Sequence, residues 1–219
     1  MASQLQLNLN KMNLEYQRCL VYSSSIINHT EYEDPLPYTP LEYIESTGTQ
    51  YINTGYKPNG NSQYELEITN STVNGVLFGA YNSGWDNGSG LYTNVGGGNN
   101  HWMHYWKNVD TYYKSKSDEV IVMNKDLLTI NGSIIYAVGT KSFSVTQPLY
   151  IFAGNMGGKV EQPVKCRLHY FKISENDVLL HHFIPVIRKS DNVVCLYDFI
   201  TDQFFTNAGS GVFTAGGVV

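Results

Sequence analysis

At 219 residues the chain can hold one ordinary domain with a substantial core plus an extension, and two full domains would be a squeeze. Only 15% of residues are charged and 13% are aromatic, with 17 Tyr and 20 Gly, a strand-and-turn composition that disfavours a helical bundle. The formal net charge of -5 and the pI near 5.6 give no electrostatic reason to bind a phosphate backbone, so nucleic acid is not an expected partner.

The first ten residues lack the basic start and continuous apolar stretch of a secretory signal. Nothing in the chain approaches the roughly 20 apolar residues of a membrane span. The expectation is a protein that stays in the cytoplasm of the cell that makes it. Leu5, Leu7 and Leu9 alternate with Gln6, Asn8 and Asn10, the period of a strand with one apolar face. The following Met12–Tyr22, with Leu14 and Tyr16, fits either a short helix or a continued strand. Pro35 and Pro37 lack amide donors and force extended backbone, so residues 1–36 read as an N-terminal arm and 37–219 as the body. An arm of this size has too little apolar surface to fold alone. Packing on its own domain, or disorder, is the plain alternative to attachment. Strand addition to another protein's sheet edge would satisfy its backbone groups, which makes Leu5, Leu7, Leu9, Leu14 and Tyr16 the candidate attachment residues.

The body reads as short strands separated by turn residues. Tyr38–Tyr56 holds two of them around Ser46-Thr47-Gly48-Thr49, with Tyr43, Tyr51 and Ile52 partly buried. Further strands are expected at 63–69, 75–81, 91–95, 101–107, 118–123, 127–131, 133–138, 149–153, 164–173, 178–186 and 193–199. Asn131-Gly132 is the favoured two-residue type I′ turn, because both residues tolerate positive φ. This spacing indicates an all-β sandwich or barrel.

The segment Leu41-Glu-Tyr-Ile-Glu-Ser-Thr-Gly-Thr-Gln-Tyr-Ile-Asn-Thr-Gly55 resembles the opening signature of the concanavalin A-like, or laminin-G-like, jelly-roll domains of tailed-phage virion proteins and gut-bacterial surface proteins. Leu149–Asn155, Cys166–Lys172, Leu179–Val186, Leu196–Gly209 and Gly211–Gly216 are similar to that family's closing strands in order, so the resemblance spans about residues 38 to 216. It implies an antiparallel two-sheet jelly-roll sandwich, preceded here by an arm that has no counterpart in the family pattern.

Some concanavalin A-like folds are glucanases, whose chemistry needs two carboxylates flanking the scissile bond. In the family's hydrolases these follow a Glu-x-Asp-x-x-Glu pattern. Glu65-Leu-Glu67 is followed by Ile68, Thr69 and Asn70, so the third carboxylate is missing, and Glu65 and Glu67 read as the solvent face of a strand. No Gly-x-Ser-x-Gly elbow occurs, and no Cys-x-x-Cys spacing supports zinc. No catalytic residue, metal or cofactor is expected. His181 and His182 should point to opposite sides of a strand. Cys19, Cys166 and Cys195 are read as reduced thiols, with a Cys166–Cys195 pair left open. Laminin-G-like domains often hold calcium in a rim loop, and Asp86 with Asn87 in Asp86–Gly90 is the weak candidate, against an ordinary turn.

Between Val76 and Val109 aromatic residues are interleaved with Asn, Gly and His and few charges, a combination suited to sugar recognition. Tyr81, Trp85, Trp102, His104 and Trp106 are the candidate carbohydrate-binding residues. Alternation puts Trp102, His104 and Trp106 on one face and His101, Met103 and Tyr105 on the other, and one of those faces must be core. The Trp face inward would be plain sandwich packing; outward, it would be an aromatic platform for a glycan or a partner subunit. The expectation is a non-enzymatic virion component, a head decoration, head fibre, neck or tail part. It would be assembled in the host cytoplasm, attached to other virion proteins by its arm, homo-oligomeric, and able to meet host glycans. A bacterial carbohydrate-binding surface protein is the runner-up, and a glycoside hydrolase fails on carboxylate count.

Overall fold

The computed structural model describes residues 36–69, 74–84, 86–95, 100–105, 107–114, 118–137 and 139–219, with the backbone alone at 86, 94, 95, 100–102, 104, 107–112 and 114. The attachment candidates Leu5, Leu7, Leu9, Leu14 and Tyr16 lie outside the described residues, as do Cys19, Trp85 and Trp106. Leu36–Val219 forms one compact unit.

That unit is all-β. In chain order its strands are β1 (Tyr38–Pro40), β2 (Ile44–Thr47), β3 (Ile52–Asn53), β4 (Ser62–Thr69), β5 (Gly75–Ser83), β6 (Asp86–Val95) and β7 (Asn100–Tyr105). There follow β8 (Lys107–Lys114), β9 (Asp118–Asn124), β10 (Leu127–Ile130), β11 (Ser133–Ala137), β12 (Tyr150–Ile151) and β13 (Gly154–Met156). The last are β14 (Lys159–Glu161), β15 (Lys165–Glu175), β16 (Val178–Arg188), β17 (Val193–Asp198), β18 (Gln203–Phe205) and β19 (Thr214–Ala215). The larger sheet runs β11-β10-β9-β4-β15-β16-β17-β18, with β1 on β16 and β2 between β15 and β19. The smaller runs β14-β13-β5-β6-β7-β8, with β12 joining β3 and β5.

The two sheets close a sandwich. Strict alternation along β4 buries Tyr64, Leu66 and Ile68 and leaves Gln63, Glu65 and Glu67 on the other face. Across the interior Tyr64 meets Phe78 at 4.8 Å between ring centroids, and Phe78 meets Phe171 at 5.1 Å. The Tyr64 hydroxyl donates to Ser89 Oγ at 3.0 Å, so this buried phenol bonds from one sheet to the other. At Asn131-Gly132 both φ values are positive, 50° and 75°, and the hairpin pairs Ile130 with Ser133.

One expected strand is corrected, and the open cysteine pairing is resolved. The segment 149–153 is not one strand: Phe152, at φ 69°, reverses the chain, so β12 pairs antiparallel and β13 parallel with the same β5. Two short strands flank the Ser46–Thr49 turn, as expected, and they belong to different sheets, β2 to the larger and β3 to the smaller. Cys166 and Cys195 are buried free thiols, one in the central core and one in a separate cluster with Tyr38, Val186 and Tyr197, so they do not pair. Burial raises both thiol pKa values, that of Cys195 to about 11, which keeps the thiols protonated.

On the outer face of the smaller sheet, a Cβ added at Gly79, Gly88 or Gly90 would run into the Tyr81 side chain. These glycines make room for a ring that is fully buried. Gly88→Ala is expected to displace Tyr81 and cost about 1–3 kcal/mol by overpacking. Urea denaturation followed by circular dichroism checks this, and an unchanged midpoint would show that the ring has room to move.

Candidate ligand-binding face

Of the predicted sugar-binding residues, Tyr81 lies on β5 and the backbones of Trp102 and His104 on β7, both strands of the smaller sheet, and Trp85 and Trp106 lie outside the described residues. The shape of that sheet's outer face comes from the register of β6 and β7. Leu91 and Ser89 face the core, so Gly88, Gly90 and Tyr92 take the opposite face. On β7 the core positions are Met103 and Tyr105, 0% and 1% exposed. The Tyr105 hydroxyl donates to Gly60 O at 2.8 Å, and its ring meets Phe143 edge-on at 5.1 Å. The inward positions of β7 are thus taken by Met103 and Tyr105. In backbone register Trp102 pairs with Tyr92 and His104 with Gly90. The side chains of Trp102 and His104 lie outside the described set.

Tyr81 itself is corrected. Its ring fills the glycine-floored strip and is 0% exposed, so it offers no face to a ligand. Tyr92, which the sequence reading left out, is its neighbour on this face, and burial, then the charge of Glu161, raises its hydroxyl pKa. The calcium segment Asp86–Gly90, expected as a loop, is strand: Gly88 pairs with Tyr81, and Ser89 and Gly90 with Tyr105 and His104. Its backbone is committed to the ladders, and Asn87 is an exposed residue at φ 55°.

The outer face of the larger sheet is polar and internally paired. Across β9, β4, β15 and β16 the register lines up Val122, Glu65, Lys172 and His182. Lys172 Nζ donates to Glu65 Oε1 at 2.8 Å, and the Tyr170 hydroxyl donates to the same oxygen at 3.0 Å. Burial would raise the Glu65 carboxyl, but these two donors hold it below its ordinary value. Beside them is an open depression of about 240 Å³ whose lining includes Gln63, Asn124, Ser174 and Asp177. Gln63 Nε2 donates to both Asn124 Oδ1 and Asp177 Oδ1, at 2.7 Å each. Glu65 is thus a partner in an ion pair, consistent with the solvent-face reading of this strand.

A third polar group, not foreseen from sequence, sits at the end of β17. Asp198 is 0% exposed and accepts from the His182 amide at 2.8 Å, the Ile200 amide at 3.1 Å and the Thr201 hydroxyl at 2.7 Å. His181 Nδ1 lies 2.7 Å from Oδ2, the oxygen that also accepts from Thr201, and the imidazole stacks on Phe183 at 5.3 Å. His182 points the other way, toward Tyr170 and Phe199, as alternation requires. The pairing of β16 with β17 puts Phe183 opposite Asp198, so the parity of His181 with Phe183 was the available clue.

Compared with known proteins, the chain matches no family model and no curated protein.

Burial works against the Asp198 carboxylate, but its four donors outweigh it and hold the pKa below the ordinary value. The stability it contributes is full above pH about 4, the unfolded value, and is lost as pH falls through the lower folded value. Burial, then the charge of Lys172, lowers the His182 pKa to about 4. The unfolded chain therefore takes up that proton first, and stability also declines as pH falls from about 6.5 to about 4. Asp198→Ala should cost about 3 kcal/mol at pH 7 by leaving buried donors unpaired. His182→Gln should flatten the fall in urea midpoint between pH 6.5 and 4; an unchanged slope would contradict the assignment.

Proposed function

We propose that this chain is a non-enzymatic display protein: a concanavalin A-like jelly roll that is carried on a tailed-phage particle by residues 1–36 and presents the outer face of its smaller sheet to host-surface glycans. The observation that carries the reading is that the two ends of the resemblance meet in space. The Ala208 amide donates to Tyr51 O at 2.9 Å, the Ser210 amide to Thr49 O at 3.2 Å, and the Tyr51 amide to Asn207 Oδ1 at 3.2 Å. These bonds join the Leu41–Gly55 signature to the chain around Asn207–Ser210, which supports reading the two ends as parts of one fold.

The display face is supported by the register of β7, which gives its inward positions to Met103 and Tyr105. Flat aromatic rings flanked by amides and imidazoles suit pyranose C–H faces and hydroxyls. Binding at one copy would be weak, and several copies on a particle would raise it by avidity. Against catalysis stand the Glu65 ion pair and the missing third carboxylate of the glucanase pattern.

Two measurements test the two halves of this reading. Gradient-purified particles of a phage encoding the chain should contain it, and particles grown with only a copy lacking residues 1–30 should not. On a glycan array, multivalent wild-type protein should bind a defined set of glycans and Trp102→Ala should lose most of that signal. Array binding that survives the substitution, or particles that carry the truncated chain, would overturn the corresponding half.

A further inference from the structure

The chain contains four Asn-Gly steps, at 59–60, 74–75, 87–88 and 131–132. In this dipeptide the backbone nitrogen attacks the preceding side-chain amide with least hindrance, because glycine has no side chain to block the approach and adopts the turn it requires. The reaction needs an Asn side chain that swings free and a Gly nitrogen released from its partner. The fold grants that freedom unequally.

At two steps the side-chain amide is tied down. Asn131 Oδ1 accepts from the Val120 amide at 2.8 Å and Nδ2 donates to Asp118 O at 3.3 Å, while the Asn131 amide donates to Val120 O at 2.8 Å. That side chain extends the β9–β10 pairing instead of reaching Gly132. Asn59 Oδ1 accepts from the Asn61 amide at 2.7 Å, Nδ2 donates to Glu175 Oε2 at 2.9 Å, and the Gly60 amide donates to Phe143 O at 3.0 Å. The other two steps are open. Asn74 and Asn87 are exposed, and their side chains make no hydrogen bond to the described residues. Asn87 stands next to the tip of the β5–β6 hairpin, whose last pair is Ser83 with Asp86, so fraying of that tip is enough to release it. Asn74 immediately precedes β5.

From this contrast we infer that Asn74 and Asn87 are sites of spontaneous deamidation in the folded protein, and that hydrogen bonding protects Asn59 and Asn131. The Gly nitrogen bonds to the Asn Cγ, the Cγ–Nδ2 bond breaks, and Nδ2 leaves as ammonia with the proton the Gly nitrogen gives up. Water then opens the cyclic imide at either carbonyl, giving Asp or isoaspartate, in which the main chain runs through Cβ and Cγ. Isoaspartate lengthens the backbone where it forms. At position 87 that change falls beside Gly88, where even an added Cβ would run into the Tyr81 ring. This inference does not depend on what the smaller sheet binds or on where the chain is displayed.

Peptide mapping by mass spectrometry tests it, on the full chain kept at mildly alkaline pH either folded or in urea. All four steps should convert at comparable rates in urea. In the folded chain Asn74 and Asn87 should convert several-fold faster than Asn59 and Asn131, with isoaspartate detected by enzymatic methylation. The double variant Asn74→Ser, Asn87→Gly, whose glycine accepts the φ of 55° at position 87, should remove most of the conversion in the folded chain. Folded-state conversion at Asn59 or Asn131 as fast as in urea, or an Asn74 or Asn87 that stays intact in the folded chain while converting in urea, would overturn the proposal.

Discussion

The structure turns on one passage of chain, Ser46 to Ile52, where the backbone leaves the larger sheet and enters the smaller. The turn is built around a buried amide. Gln50 is 2% exposed, and its Oε1 accepts from the Thr47 amide at 2.8 Å and the Thr47 hydroxyl at 3.1 Å. Ser46 Oγ, also buried, caps the Gly48 amide at 3.1 Å, and Gly48 takes the φ of 100° the turn demands. A buried amide left unpaired here would cost on the order of 1–3 kcal/mol, so the crossing and its side chains stand or fall together. Because β2 lies between β15 and β19 while β3 pairs with β12, this turn is also the brace between the sheets at that edge.

Much of this was legible in the residues. β4 shows the two-residue period because one face is core and the other solvent, and Asn131-Gly132 announces its turn because few dipeptides accept two positive φ values. What escaped has physical reasons. β8 lacks a run of apolar residues, and β13, β14 and β18 are three residues each, too short for a period to register. Gly-rich Asp86–Gly90 looks like a loop, yet it is strand because Tyr81 needs bare backbone beneath its ring. Tyr81 was assigned to a ligand on composition alone, and composition is blind to which face of a sheet a neighbouring strand has already claimed. The Asp198 network joins residues 17 apart in sequence, His181 and Asp198, and only the β16–β17 register brings them together.

The two outer faces differ in kind. On the larger sheet, Glu65, Lys172, Tyr170 and Gln63 spend their polar atoms on one another, and Arg167 is similarly held by Glu45 at 3.0 Å beneath the ring of Tyr43. Exposed pairs of this sort contribute little to stability, about 0–1 kcal/mol, but they leave that face without free charges to recruit a ligand at those positions. On the smaller sheet, the core has taken Met103 and Tyr105, and on the other side Gly79, Gly88 and Gly90 make room for the buried ring of Tyr81.

Backbone amide chemical shifts, followed while the full chain is titrated with a glycan that it binds on an array, test this division most directly. The account predicts shifts concentrated in β5, β6, β7 and β8, with the amides of β4, β15 and β16 unmoved. Shifts centred on Glu65, Lys172 and His182 of the larger sheet would contradict it.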